Sequence, residues 1–235
     1  MPLDVVITGG SRGIGFAMAE KFAASKANLF ITSFNEVPLY GAMQELCTRF
    51  PEISVKAKAF DLSKKSECDA FGQWVLDANQ QVDILINNAG TFLPGNVSDE
   101  EEGVLEKMIE TNLYSAYHVT RALLPSMISR KQGHIFNICS IASLKAYPGG
   151  GSYGISKFAL SGFSQNLRNE LKPLGIKVTA VYPGAAYTDS WAAAGIEPKR
   201  IMGSEDIAEM VFAASRLSPQ ATVEEIVLRP QLGDL

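Results

Sequence analysis

Val5-Val-Ile-Thr-Gly-Gly-Ser-Arg-Gly-Ile-Gly15 decides how this chain is read. The run up to Thr8 is apolar and β-branched, which suits a strand. From Ile14 to Ser25 the apolar residues recur at helical spacing. A strand, a tight glycine turn and a helix form the opening of a βαβ unit. Gly9 lets the chain turn sharply, Gly13 lets backbone approach a pyrophosphate, and Gly15 lets the helix pack closely on the strand. Thr8, Ser11, Arg12 and Ile14 complete the turn, and the helix start presents N–H groups to an anion. The spacing Gly9-x-x-x-Gly13-x-Gly15 is not the Gly-x-Gly-x-x-Gly of the larger dinucleotide-binding class. A purely structural turn would also satisfy it, but its place between a first strand and a helix favours a dinucleotide.

The alternation continues along the chain. Leu3–Thr8, Leu29–Thr32, Val55–Phe60, Ile84–Asn87, His134–Ile138, Val178–Val181 and Glu225–Leu228 read as strands. Ile14–Ser25, Pro38–Phe50, Lys64–Asn79, Val104–Arg130, Tyr153–Leu174 and Ser204–Leu217 read as helices. This predicts an α/β fold of Rossmann type: a doubly wound, seven-stranded parallel sheet with helices on both faces, one domain over 1–235. The acidic run Asp99-Glu-Glu-Glu102 follows Ser98. Ser98 and Glu101 match a capping box, so the run reads as a solvated helix start. The longest weakly patterned segment, 185–203, reads as a loop covering a substrate.

Composition narrows the function. The chain has 235 residues, is 46% hydrophobic and 20% charged, and carries a net charge of −4. That suits one full core and offers no basic face for nucleic acid. No window resembles a membrane span, and no charged, then apolar leader opens the chain. The three cysteines, Cys47, Cys68 and Cys139, are scattered and read as reduced thiols of a cytoplasmic protein. His118 and His134 lack nearby carboxylates and read as structural, so no metal is expected.

Ser152-Tyr-Gly-Ile-Ser-Lys157 carries the chemistry. A spacing of four sets the Tyr153 phenol and the Lys157 ammonium on one helix face. A free tyrosine titrates near 10, and a neighbouring cation favours its phenolate. Ser140, at the end of a strand, could hold a carbonyl oxygen beside the phenol. Taken alone, Tyr-x-x-x-Lys is common on protein surfaces, so other motifs must support it.

Those motifs occur in the order of the short-chain dehydrogenase/reductase family, which the sequence resembles over nearly its whole length. Thr8–Gly15 is similar to that family's cofactor turn. Asp61-Leu62 is similar to its adenine contact, and Asn87-Asn-Ala-Gly90 to its motif after the fourth strand. Asn112 matches its helix-embedded asparagine, and Ser140, Tyr153 and Lys157 match its active site. Pro183-Gly184 with Thr188 matches the segment that closes over a nicotinamide. The resemblance implies that Tyr153 is acid in carbonyl reduction and base in alcohol oxidation, and that Ser140 orients the substrate oxygen. It implies that Lys157 lowers the tyrosine pKa and binds the nicotinamide ribose, and that Asn88, Ala89 and Gly90 lie along the cofactor. Asn112 would hold a water linking Lys157 to solvent; a polar residue satisfying a neighbouring strand is the other reading. Pairing of the two long helices between subunits implies a homodimer or homotetramer.

Cofactor and substrate are read from what differs. Ser33 and Phe34 stand where an NAD-type acid and an NADP-type arginine are usual, so both signals are missing. Arg12 matches a basic position of NADP-preferring relatives and could pair a phosphate, or could be a solvated loop side chain. NADP(H) is preferred and NAD(H) stays open. The C-terminal third, from Pro183-Gly-Ala-Ala-Tyr-Thr-Asp-Ser-Trp191 to Gly233-Asp234-Leu, resembles bacterial sepiapterin-reductase-type members of the family. Tyr187 and Trp191 could stack on a flat heterocycle or cover an apolar lid. A 3-oxoacyl-carrier-protein reductase is the alternative, with Lys145, Lys199 and Arg200 as loop cations. A dinucleotide sensor without turnover and a methyltransferase on a similar sheet are readings from other classes. The retained Tyr153 and Lys157 disfavour both.

Overall fold

The computed structural model describes residues 2–187 and 197–234. Seven strands form one sheet in the order β3-β2-β1-β4-β5-β6-β7, and every pairing is parallel. They are β1 (Asp4–Thr8), β2 (Asn28–Thr32), β3 (Val55–Ala57), β4 (Ile84–Asn87), β5 (Gly133–Ile138), β6 (Ile176–Pro183) and β7 (Glu225–Leu228). The helices are α1 (Gly13–Ala24), α2 (Glu36–Arg49), α3 (Lys65–Ala78), α4 (Val104–Ile109), α5 (Ser115–Arg130), α6 (Gly151–Leu171) and α7 (Ser204–Ser215).

Side chains along a strand alternate between the two faces of the sheet. Val5, Ile7, Leu29, Ile31, Ile84 and Ile86 enter one apolar core with Phe22 of α1 and Val211 of α7. Val6, Phe30, Leu85 and Ile135 enter the other with Phe71 of α3 and Leu123 of α5. Both faces are covered, so the strands read as continuous apolar runs and not as polar–apolar alternation. Gly72 brings α3 against α5: a Cβ there would fall 2.4 Å from the Ala122 methyl.

Beyond shifts of a few residues at helix ends, four differences from expectation stand out. β3 ends at Ala57, not Phe60. It is an edge strand with one neighbour, and beyond it only the Lys58 and Phe60 amides still reach β2 and its extension, at Ile31 O and Ser33 O. β6 runs longer, because β5 and β7 flank it on both sides. Ser98–Glu102 is no helix start; α4 begins at Val104 behind Gly103, whose φ is +89°. The expected single helix Val104–Arg130 contains a π-helical turn, Glu110–Tyr114, between α4 and α5. Apolar periodicity is nearly the same through an α-to-π change, so sequence pattern cannot reveal it.

No helix among the described residues is long and apolar enough to cross a membrane. His134 is buried and stacks on Phe136 with centroids 3.9 Å apart. Its Nε2 lies 2.7 Å from Thr179 Oγ1, whose own proton goes to Val223 O at 2.6 Å, so Nε2 is the donor. Burial pushes the imidazole down to about 3. A histidine of lowered folded-state pKa binds its proton first in the unfolded chain, so stability is lost as pH falls from about 6.5 towards 3. Urea denaturation across that window should show this loss, and His134→Leu should flatten the acid limb while lowering stability at neutral pH.

Candidate active site

The crevice opens where β1 and β4 meet at their carboxyl ends, the topological switch point of a doubly wound sheet. Thr8 Oγ1 accepts the Asn88 N–H at 3.0 Å and the Ala89 N–H at 2.9 Å. In return Asn88 Nδ2 donates to Thr8 O at 3.0 Å and Gly9 O at 3.1 Å. The glycine turn and Asn87–Gly90 are therefore one locked unit. Gly9 and Gly13 take positive φ, +65° and +55°. A Cβ on Gly15 would fall 2.1 Å from Gly9 O and 2.5 Å from Asn88 Nδ2, so only glycine lets α1 sit this close.

The α1 N-terminus has no side-chain cap and no acid in its first turn. Its N–H groups and positive dipole end thus suit an anion, and the residues fit the pyrophosphate of a dinucleotide. Arg12 stands exposed at the N-cap. Ser11 Oγ donates to Ser33 Oγ at 3.0 Å, so β2 meets the glycine turn through a hydroxyl, not a carboxylate.

At the far end of the crevice β5 ends at Ile138, and Ser140 begins a single 3-10 turn. Tyr153 and Lys157 lie one turn apart on α6. Lys157 is buried, and its Nζ donates to Ile138 O at 2.9 Å and sits 5.9 Å from the Tyr153 ring centroid. Burial pushes this ammonium down to about 8. The expectation that Lys157 lowers the phenol is not met in the chain by itself. Burial raises Tyr153 above its ordinary value, and a hydrogen bond with Ser140 opposes that rise. A phenol that keeps its proton at neutral pH is a donor in waiting.

Asn112 is fully buried in the π-helical turn. Its Oδ1 accepts the Thr91 N–H at 2.7 Å, and its Nδ2 donates to Thr91 O at 3.0 Å and Ser156 Oγ at 2.9 Å. The side chain therefore braces the segment after β4 against α6. It still borders the proton site: a Cβ on Gly90 would lie 3.1 Å from Asn112 Oδ1 and 3.6 Å from Lys157 Nζ.

Other expected residues fall less directly. Asp61 turns its carboxylate to the Ser63 hydroxyl, at 2.6 Å, and to Lys64, at 3.0 Å; the Ser63 bond chiefly holds its pKa below the ordinary value. Leu62 packs into the core, so its backbone is what remains for an adenine. Pro183 ends β6, and Gly184 donates to Leu228 O at 2.7 Å, close against Pro230. Tyr187 is exposed, with its backbone pinned to Met202 and Ser204. Thr188 and Trp191 lie outside the described residues.

Sequence reasoning missed the ring that meets Tyr153. Phe92 meets it edge-on at 4.9 Å, and the Tyr147 phenol is raised by burial and by Tyr153. Phe92, two residues past the Asn87–Gly90 motif, was the available signal. It also missed the buried chain from Asn87 to Asn137 (2.8 Å) and on to Ser164 (2.8 Å), which joins β4, β5 and α6. Cys139 is buried in a small cluster with Leu160 and Tyr182, and its thiol is pushed up to about 11. No cluster of three metal-ligating side chains occurs among the described residues.

The chain belongs to the short chain dehydrogenase family, whose profile matches residues 4–198. An uncharacterized oxidoreductase of Staphylococcus epidermidis is 30% identical over 225 residues, which is 96% of both chains. Among solved structures, a metagenomic short-chain oxidoreductase in complex with NADP is 30% identical with a TM-score of 0.86, covering 97% of each chain. An alcohol dehydrogenase from the archaeon Thermococcus sibiricus, complexed with 5-hydroxy-NADP, is 27% identical with a TM-score of 0.90; 98% of this chain and 97% of that one are covered.

Gly15→Ala tests the locked turn. It should lower unfolding free energy by about 2 kcal/mol, the scale of overpacking a tight site, and should weaken dinucleotide binding. Urea denaturation and a fluorescence titration with NADPH read the two effects.

Proposed function

We propose that the chain is an NADP(H)-dependent reductase that turns a small carbonyl compound into an alcohol. The observation that carries this reading is the Tyr153 phenol. It is raised by burial, hydrogen-bonded with Ser140, and one helical turn from a buried Lys157. NADPH, when bound, supplies the hydride. Ser140 holds the substrate oxygen, and Tyr153 gives that oxygen a proton. Lys157 offsets the negative charge that the phenol then carries. Asn112 borders Lys157 across Gly90 and is suited to hold a water on the route by which the proton returns.

Thr8, the glycine turn, Asn88 to Gly90, Lys157 and Pro183-Gly184 form the cofactor cradle in this reading. Asp61-Leu62 is its adenine end in this reading, and the family resemblance assigns Thr188 to the nicotinamide. Preference for NADPH draws support from the exposed Arg12 at the N-cap, from the hydroxyl of Ser33 where an acid would select NADH, and from NADP-bound neighbours. Arg12→Ala should weaken NADPH about tenfold or more, the scale of a lost charge-assisted phosphate bond, and leave NADH unchanged. Fluorescence titration of both dinucleotides reads this.

The Phe92 ring against Tyr153 supports a flat or small dicarbonyl substrate, sepiapterin among them. The 3-oxoacyl-carrier alternative needs free loop cations. Arg200 instead donates to Gly233 O and Asp234 O at 3.0 and 3.1 Å. Exposed Tyr114, Tyr117, Ile155 and Phe158 support pairing of the α5 and α6 faces in a homodimer or homotetramer. Steady-state NADPH oxidation with sepiapterin, diacetyl and an acetoacetyl thioester should favour the dicarbonyls. Tyr153→Phe should lower kcat about a hundredfold or more, as loss of a general acid does. Equal turnover by that variant would exclude the tyrosine as the proton donor.

A further inference from the structure

The acidic run after Ser98 holds one carboxylate that is engaged by another element. Asp99, Glu101 and Glu102 are exposed, whereas Glu100 is partly buried. Its Oε1 accepts the Ser152 N–H at 2.8 Å, and its Oε2 accepts the Ser152 hydroxyl. Ser152 is buried and immediately precedes Tyr153. α6 has no side-chain cap at Gly150 and no acid in its own first turn. The first N–H groups of a helix need partners, and negative charge is favoured beside them. Glu100 supplies both from a segment 52 residues away in sequence.

The surrounding backbone is shaped for that approach. Gly151 has a φ of +22°, and a Cβ on it would fall 2.0 Å from Glu100 Oε1 and 2.6 Å from Gly95 O. A Cβ on Gly95 would fall 2.7 Å from Glu100 Cγ. Gly95 N–H donates to Gly149 O at 3.1 Å, and Gly149 N–H to Asn96 Oδ1 at 2.9 Å. The same segment carries Phe92, whose ring meets Tyr153. An edge-on ring pair of this kind is too weak to set the register of a helix by itself.

We propose that Glu100 is a positioning residue: it latches the first turn of α6 to the segment 91–100 and so sets the reach of the Tyr153 phenol towards Ser140. The proposal rests on the reading of Tyr153 as the proton donor. It assigns a role in the reaction to a carboxylate that touches neither substrate nor cofactor. Misplacement of a reacting group by about 1 Å can cost a hundredfold in rate, so a latch next to the phenol acts on kcat. Of the cofactor cradle only Lys157 sits on α6, and the glycine turn and Asn88 to Gly90 are held by their own bonds, so dinucleotide affinity should move less than kcat.

The test uses Glu100→Ala, Glu100→Gln, Ser152→Ala and the Glu100→Ala/Ser152→Ala pair in the full chain. NADPH-dependent diacetyl reduction gives kcat and KM, and fluorescence gives NADPH affinity. Amide exchange of segment 150–157 in the cofactor-free protein is followed by mass spectrometry. Glu100→Ala should lower kcat about tenfold or more, with KM and NADPH affinity within about threefold. It should speed exchange of 150–157 by about tenfold. The pair should be no worse than Glu100→Ala, because both changes break one interaction. Glu100→Gln keeps one acceptor oxygen, so it should fold where Ala does not and lie between Ala and the parent. Unchanged kcat, unchanged exchange, multiplying effects in the pair, or a Gln variant outside that interval would each overturn the latch. Should Tyr153→Phe keep full turnover, the tyrosine reading falls, while the exchange result still judges the latch separately.

Discussion

One reciprocal set of hydrogen bonds holds the functional end of the sheet together. Thr8 accepts two backbone N–H groups from the segment after β4, and Asn88 returns two bonds to the carbonyls of Thr8 and Gly9. This closes the gap at the switch point, where the connections after β1 and β4 leave towards opposite faces of the sheet and backbone groups would otherwise lack partners. Because the unit is locked, the α1 N-terminus stands beside Asn88 to Gly90 at a set distance. Gly15 then has to be glycine, since its missing Cβ is the space that the Gly9 carbonyl and the Asn88 amide occupy.

The candidate proton site extends from that unit along β4 and β5. Asn112 braces Thr91 and Ser156, and the chain from Asn87 through Asn137 to Ser164 ties the strand ends to α6. These buried polar groups are nearly all paired, which makes the arrangement rigid and specific. Into it the fold places an ammonium out of water. Desolvation depresses Lys157, to about 8, and raises Tyr153, so the two groups move apart in proton affinity and the phenol holds its proton the more tightly. The sequence reading treated the pair as a cation acting on a phenol. In the folded chain the larger effect on each is loss of water, which favours a protonated phenol and suits carbonyl reduction.

The π-helical turn and the acidic run show where pattern reading stops. Thr111-Asn112 stands out in the sequence as a candidate, but the widened turn that carries it does not, because apolar spacing hardly changes across it. Ser98 and Glu101 have the residues of a capping box, yet the helix begins at Val104. The Glu100 carboxylate is instead drawn to the unpaired start of α6. A local rule lost to a tertiary partner that satisfied more groups. Phe92 escapes a sequence reading for the same reason: nothing local in sequence sends a ring to a tyrosine in another element.

The order of apolar runs and glycine turns by itself determined the seven-stranded parallel sheet, the cradle at Gly9–Gly15 and the alignment of Tyr153 with Lys157. Each of these depends on spacing along one element or on strand–helix alternation, and both are written locally. Only the tertiary structure decided which groups lose their water, which carboxylate caps α6, and what Asn112 holds. Those outcomes depend on contacts between segments tens of residues apart, where burial and free hydrogen-bond partners exist only after the chain has packed.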